Sequence, residues 1–252
     1  MIVQERHGAI LRVLSRKPRL GLLRLQREVG VSRSTLRRDL LELEHLGEVV
    51  RLRGSVVQAD FYKGETTFER RRGRCVEEKR AIATLAAGLV EANAAIYVDA
   101  GTTCLELGRL LLKRPDLRIY THSIRLVADS VDASASIVCV GGEYRRVSGA
   151  VVGGLAAHWL GQLRFDVAFV AASGVDPEGC TTTEMTETQV KQEVLRRSAR
   201  RILLADSQKW NHPSTVRFDD WSKIDEWVTD AGLAAGARRI LREKRIRLHI
   251  AS

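Results

Sequence analysis

Cysteine is sparse in this 252-residue chain: Cys75, Cys104, Cys139 and Cys180 stand far apart with no CxxC pair. That spacing excludes a zinc ribbon and a disulfide framework. The six histidines are equally scattered, so no metal and no cofactor is expected. No apolar run approaches the ~18 residues that cross a membrane, and the first residues carry charge where a signal peptide needs an apolar core. A cytoplasmic protein without a membrane partner is expected. Internal repeats and low-complexity segments are missing as well. What is present is 44% hydrophobic content, enough for a substantial core and two domains. The net charge of +10 favours a polyanionic partner.

Residues 32–46 (SRSTLRRDLLELEHL) organise the rest. Ser32 can cap a helix, with Gly30-Val31 before it suited to a tight turn. At about 100° per residue, Leu36, Leu40 and Leu43 share one stripe and Ser34, Arg37 and Arg38 fall opposite. Upstream, Ile10, Val13 and Leu14 mark one amphipathic helix, and Leu22, Leu25 and Val29 a second one closed by Gly30. Helix, helix, turn and helix is the helix-turn-helix order, in which the last helix enters the major groove. Residues 47–58 (GEVVRLRGSVVQ) alternate about Arg53-Gly54-Ser55 like a hairpin, the form of a wing, from which Arg51 and Arg53 reach phosphates. Charge is lopsided in the same sense: residues 1–57 hold 12 Lys+Arg against 6 Asp+Glu, and residues 58–252 hold 29 against 25. Double-stranded DNA is the expected partner, with Ser32, Arg33, Ser34, Thr35, Arg37, Arg38, Arg51 and Arg53 as its contacts.

The expected division is a winged helix-turn-helix domain at 1–58, a linker at 59–76 and an effector-binding domain at 77–252. The linker lacks a sustained apolar period and carries Arg70, Arg71, Arg72 and Arg74, either extra phosphate contacts or a solvated run. From Glu77 onward the pattern is α/β. Helices are predicted at 77–91, 102–112, 155–161, 187–199 and 233–243. Strands are predicted at 94–99, 119–122, 136–140, 166–172, 201–206 and 226–229, with an edge strand at 247–250. Cys139, in an apolar strand, is expected to be a small core residue. Such alternation makes a mostly parallel sheet covered on both faces, with ligands at the carboxyl ends of its strands.

Those strand ends are polar or glycine-rich. Asp99-Ala100-Gly101-Thr102-Thr103 runs from a strand into a helix, where Gly101 admits a ligand to the backbone and free N–H groups favour an anion such as a phosphate. Capping alone also accounts for such a loop. Thr121-His122-Ser123, Gly141-Gly142, Ser173-Gly174 and Asp206-Ser207-Gln208-Lys209 repeat the chemistry. Lys79, Lys191 and Lys209 are candidate cations.

The stretch VSRSTLRRDLLELEHLGEVVRLRG, followed by EEKRAIA, DAGTT, THS, GGEYRRVSGAVVGG, FDVAFVAASGV and LLADSQKW, resembles the DeoR family of bacterial transcriptional regulators over nearly the whole chain. The resemblance implies a repressor of a carbohydrate catabolic operon. Its C-terminal domain, related in fold to ribose-5-phosphate isomerase, would bind a phosphorylated sugar or related metabolite that changes operator affinity. By the same resemblance, Lys79, Asp99, Gly101, Thr102, Thr103, Thr121, Ser123, Gly141, Gly142, Gly174, Glu187, Lys191, Asp206 and Lys209 fall at effector-site or signature positions, and a homodimer or homotetramer is implied. His122 stands where the family usually has Asn, and is carried as an effector contact whose hydrogen bond differs. Arg53-Gly54-Ser55 replaces a usual His-Gly-Gly. Leu41 takes a commonly polar place, either to meet a thymine methyl or to pack on the wing.

Two other functions compete with this one. A sugar-phosphate isomerase would use Asp99, Asp206 or Glu187 as its base; no catalytic residue is assigned, because fold analogy is a weak warrant for activity. A DNA-binding protein that needs no ligand is the other.

Overall fold

The computed structural model describes residues 2–46, 48–58 and 66–252. Gly47 of the expected wing and residues 59–65 of the expected linker lie outside them. Two compact units divide the chain, 1–74 and 75–252.

In the first unit, α1 (Val3–Arg16), α2 (Leu22–Val29) and α3 (Arg33–His45) surround one core. Gly30 ends α2 in the left-handed conformation, at φ 73°. Ser32 then caps α3, its hydroxyl accepting the Thr35 N–H at 3.1 Å. Leu36, Leu40 and Leu43 are at most 3% exposed and pack with Ile10, Leu14, Leu25 and Val29, as the spacing requires. Asp39 is buried beside them, a charge on the apolar side of α3. Its partner is Arg6 on α1, which donates two hydrogen bonds of 2.8 Å to the carboxylate. Those bonds hold the Asp39 carboxyl below its usual range against the opposing effect of burial.

The wing has one more strand than expected. β1 (Arg19–Gly21), β2 (Val49–Leu52) and β3 (Ser55–Gln58) form an antiparallel sheet in the order β1-β3-β2. Arg53-Gly54 makes the turn, Gly54 at φ 77°, and Ser55 already belongs to β3. Part of the expected linker is helical: α4 (Phe68–Arg72), capped by Thr67, lies against α3 with Phe68 buried.

In the second unit, helices alternate with a seven-stranded sheet. The sheet strands are β4 (Ala95–Val98), β5 (Arg118–Thr121), β6 (Ser136–Cys139), β9 (Phe165–Ala171), β12 (Ser198–Leu204), β14 (Glu226–Asp230) and β15 (Arg247–Ala251). Their order is β15-β14-β12-β9-β4-β5-β6, and every pairing is parallel. The helices are α5 (Val76–Ala87), α6 (Thr102–Leu111), α7 (Ile124–Ala128), α8 (Gly154–Gly161), α9 (Met185–Arg197) and α10 (Ala235–Glu243). The chain runs β4, β5, β6 toward one edge, then returns to the other side of β4 with β9. The strand order therefore reverses between β4 and β9, the point at whose carboxyl ends open α/β sheets bind their ligands.

Two small sheets escaped the periodicity. β7 (Glu143–Arg145) and β8 (Ala150–Val152) form a hairpin, and β10 (Gly174–Asp176), β11 (Gly179–Thr182) and β13 (Val216–Asp219) form an antiparallel sheet. Three of the four tryptophans gather near it: Trp227 stacks on Trp210 at 6.1 Å and on Trp221 at 5.9 Å between ring centroids, and donates to the Ala205 carbonyl at 2.9 Å. Trp159, on α8, is exposed. Cys139 is not a core residue: β6 is an edge strand, so it leaves that side chain exposed. All four thiols are free. Among the described residues no helix is long and apolar enough to cross a membrane.

Replacing Leu40 by Ala removes the centre of the α1–α2–α3 core. The expected loss is ~2–5 kcal/mol, read from urea unfolding followed by helix circular dichroism.

Candidate functional site

The cationic surface of the first unit follows from the cap and the leucine stripe. With Leu36 and Leu40 turned inward, Arg33, Ser34, Arg37 and Arg38 stand exposed along α3. Ser32 joins Ser34 and Thr35 through hydroxyl contacts of 2.9 and 2.8 Å, so the first turn presents a linked set of hydroxyls beside the arginines. A groove of about 1030 Å³ between α2, α3 and the wing is lined by Leu23, Gln26, Arg33, Ser34, Arg37 and Arg51. Arg53 is exposed at the wing tip. Arg51 is less free than the sequence implied: its backbone N–H bonds Glu44 at 2.9 Å and its guanidinium lies 3.8 Å from the same carboxylate. Leu41 does not join the core; it remains 47% exposed.

In the second unit the carboxyl ends of β4 and β9 are held together by charge. Asp99, just past β4, is 2% exposed. One of its oxygens accepts the Ala100 N–H at 2.9 Å; the other accepts the Ala171 N–H at 2.7 Å and the Lys191 ammonium. Lys191 also donates to the Ala171 carbonyl at 2.8 Å and lies over the Phe218 ring. Burial pushes the Asp99 carboxyl up, but Lys191, His122 and the Ala171 N–H together bring it below its ordinary value.

His122 sits behind this pair. Its Nε2 is 3.5 Å from Asp99, its Nδ1 is 2.5 Å from the Tyr97 hydroxyl, and the two rings stack with an interplanar angle of 7°. Burial lowers the imidazole pKa more than Asp99 raises it, and burial pushes the Tyr97 phenol well up, so both groups are neutral. A carboxylate only accepts hydrogen bonds. That assigns the ring proton to Nε2, toward Asp99, and the Tyr97 hydroxyl as donor to Nδ1. The Tyr97 hydroxyl engages Nδ1, Nε2 faces Asp99 and the residue is 2% exposed, so the ring is turned into the fold.

Glu187 and Lys191 stand one turn apart on α9 and share a face. Glu187 accepts Thr182 at 2.9 Å and Arg145 at 3.1 Å. Neither Thr182 nor Arg145 was expected from the sequence, although Arg145 belongs to the GGEYRRVSGAVVGG run. Lys79, Asp206 and Lys209 form a second group around the start of α5. Their charges all act on the Cys75 thiol, which burial, the largest effect, pushes up.

The α6 terminus is an anion site in form. Gly101 offers no capping side chain, and the first N–H to find an intrahelical carbonyl is that of Leu105, which bonds Gly101 at 2.8 Å. The N–H groups of Thr102, Thr103 and Cys104 have no acceptor in the helix. Other expected contacts are occupied by the fold. A Cβ on Gly101 would lie 2.3 Å from the Ala171 Cβ, so close packing by itself requires this glycine. One on Gly174 would lie 1.7 Å from the His212 carbonyl. Gly142 packs against the Val152 carbonyl, whereas Gly141 faces open space. Thr121 donates to the Val98 carbonyl at 2.7 Å, and Ser123 caps α7 by accepting the Leu126 N–H at 3.3 Å. Among the described residues no cluster suits a metal ion.

Two family matches agree with this arrangement: a DeoR-like helix-turn-helix domain over residues 6–60 and a DeoR C terminal sensor domain over residues 74–231. The chain belongs to the DeoR family. It is a DNA-binding transcriptional regulator, not an isomerase. YgbI of Escherichia coli, an uncharacterized HTH-type transcriptional regulator, is 32% identical over 100% of this chain and 99% of its own. The glycerol-3-phosphate regulon repressor of Escherichia coli is 26% identical over 98% of both chains. A solved ribose-5-phosphate isomerase is similar over 54% of both chains, at 20% identity and a TM-score of 0.40. The fold of this DeoR-family chain rests on its own strand order and the family matches rather than on that likeness.

The Asp99–Lys191 pair has a pH signature. In the native protein Asp99 lies below its ordinary value, so its contribution is present at neutral pH and is lost as pH falls through the native pKa. Lys191→Met leaves burial in control and raises that pKa. The variant is expected to be ~3–5 kcal/mol less stable at neutral pH and to regain stability as pH falls through the raised value. Thermal melts across pH read both effects.

Proposed function

We propose that this regulator is a cytoplasmic repressor of a carbohydrate catabolic operon, with operator affinity set by a phosphorylated sugar or related metabolite at the carboxyl ends of β4 and β9. One observation carries the reading: α9 holds Lys191 on Asp99 at the point where the strand order reverses, beside the uncapped start of α6. The N–H groups of α6 and the cations Lys79 and Lys209 suit a phosphate, and Asp206 and Glu187 suit hydroxyl donors. The name of the glycerol-3-phosphate regulon repressor supports the ligand class.

In this reading a homodimer or homotetramer sets two copies of α3 on the half-sites of a palindromic operator. Arg37 and Arg38 meet base edges or phosphates with Ser34 and Thr35 beside them. Arg37→Ala and Arg38→Ala are each expected to weaken binding to DNA from upstream of the protein's own gene, and to reduce the salt dependence by about one counterion for each phosphate no longer neutralised. Unchanged affinity and salt dependence in both would remove α3 from the interface.

A second reading, DNA binding without any ligand, draws on Thr121, Ser123, Gly101 and Gly174, which serve the fold. A panel of sugar phosphates separates the two. A ligand bound by the native state raises the melting temperature, and by linkage the operator must change that ligand's affinity by the same factor as the ligand changes operator affinity. No shift with any compound favours the second reading.

A further inference from the structure

The second unit has one unbalanced surface. Residues 75–252 hold 24 Lys+Arg and 22 Asp+Glu, and the segment 239–247 (RILREKRIR) alone holds five Lys+Arg and one Glu. Without that segment the remainder holds 19 Lys+Arg and 21 Asp+Glu. Arg239, Arg242, Lys244, Arg245 and Arg247 are all exposed, and among the described residues their side chains make no ion pair or hydrogen bond. Elsewhere in the unit, Arg109, Arg114, Arg200 and Arg201 each hold a carboxylate. The strip follows from the helix register: Ala237 and Leu241 are buried, which turns Arg239 and Arg242 outward.

The end of α10 adds a separate observation. The Ile246 N–H bonds the Leu241 carbonyl at 2.9 Å, and Arg245 takes the left-handed position, at φ 62°, that glycine usually fills in such a closure. A long cation stands where its own backbone disfavours a side chain. Guarding the open edge of β15 does not account for the strip, because only Arg247 of the five lies on that strand. The complement is not within the chain either. Residues 1–74 are themselves basic, with 17 Lys+Arg against 9 Asp+Glu, and the rest of the second unit, at 19 against 21, has a net charge of only −2 to set against the strip's +4.

We propose that the strip from Arg239 to Arg247 is a second, sequence-independent contact surface for double-stranded DNA, acting on phosphates outside the recognition-helix contact. It relies on the DNA binding of the first unit, which brings a dense polyanion to the molecule.

The test uses the full chain and a mixed-sequence duplex, with affinity measured across a range of salt. Arg242→Gln/Lys244→Gln/Arg245→Gln is expected to make the slope of log affinity against log salt shallower by roughly 2 to 3, at ~0.9 for each phosphate that the variant no longer neutralises. Arg245→Gly relieves the left-handed residue, so its melting temperature should hold or rise while the slope becomes shallower by about 1. The Arg37→Ala/Arg38→Ala protein runs alongside. An unchanged slope in that protein removes Arg37 and Arg38 from the interface and with them the reading on which the strip rests, whereas a slope shallower there but unchanged in the strip variants overturns the strip alone. An unchanged slope in both strip variants overturns the proposal, leaving an acidic protein surface or solvent as what the strip faces. Unchanged slope with a larger species on size exclusion also overturns it and makes the strip a surface that limits self-association.

Discussion

Asp99 and Lys191 form the contact on which the β4–β9 junction of the second unit depends. Two ions so far from water are costly, and their attraction offsets that cost only with good geometry and with their remaining hydrogen-bonding groups satisfied. Both conditions hold: Asp99 accepts from the main chain on either side of the strand-order reversal, and Lys191 returns a bond to the Ala171 carbonyl. The pair therefore ties β4, β9 and α9 at one point. Placing Lys191 also places Glu187 one turn earlier on the same helix, and with it Arg145 of the β7–β8 hairpin. His122 and Tyr97 close the pair from behind with groups that stay neutral, so no further charge has to be matched there.

What the sequence revealed was whatever has a long enough period. Helix α3 was legible because Leu36, Leu40 and Leu43 repeat at helical spacing after a capping serine, and the parallel strands were legible as apolar runs. β1 was not, since Arg19–Gly21 offers one apolar side chain and no period. The hairpin and the β10-β11-β13 sheet consist of strands of three or four residues, too short for alternation to register. Asp176 does carry a local signal, accepting the Glu178 and Gly179 N–H groups at 2.8 and 3.0 Å in a turn that DPEG foreshadows.

The strand ends were correctly located but less fully understood. A glycine beside a ligand and a glycine beside a neighbouring Cβ look the same in a sequence, and Gly101 proved to be the second kind. His122 shows a similar limit: its type suggested a ligand contact, while its two nitrogens turned out to face Tyr97 and Asp99. Arg145 lay within a quoted motif, yet only the hairpin's fold brings it to Glu187, 42 residues away. Asp39 is the converse case in the first unit, a charge that belongs to the core because Arg6, 33 residues earlier, comes to it.

The placement of indole rings gives the molecule an unequal optical character. All four tryptophans belong to the second unit, and Trp210 directly follows the short 3₁₀ turn Ser207–Lys209, stacked on a wholly buried Trp227. Ultraviolet emission excited through indole therefore originates from the second unit alone, with one of its tryptophans next to Lys209 in the chain. The DNA-binding unit is dark at that wavelength, so the second unit can be followed on its own in the full chain without attaching any label.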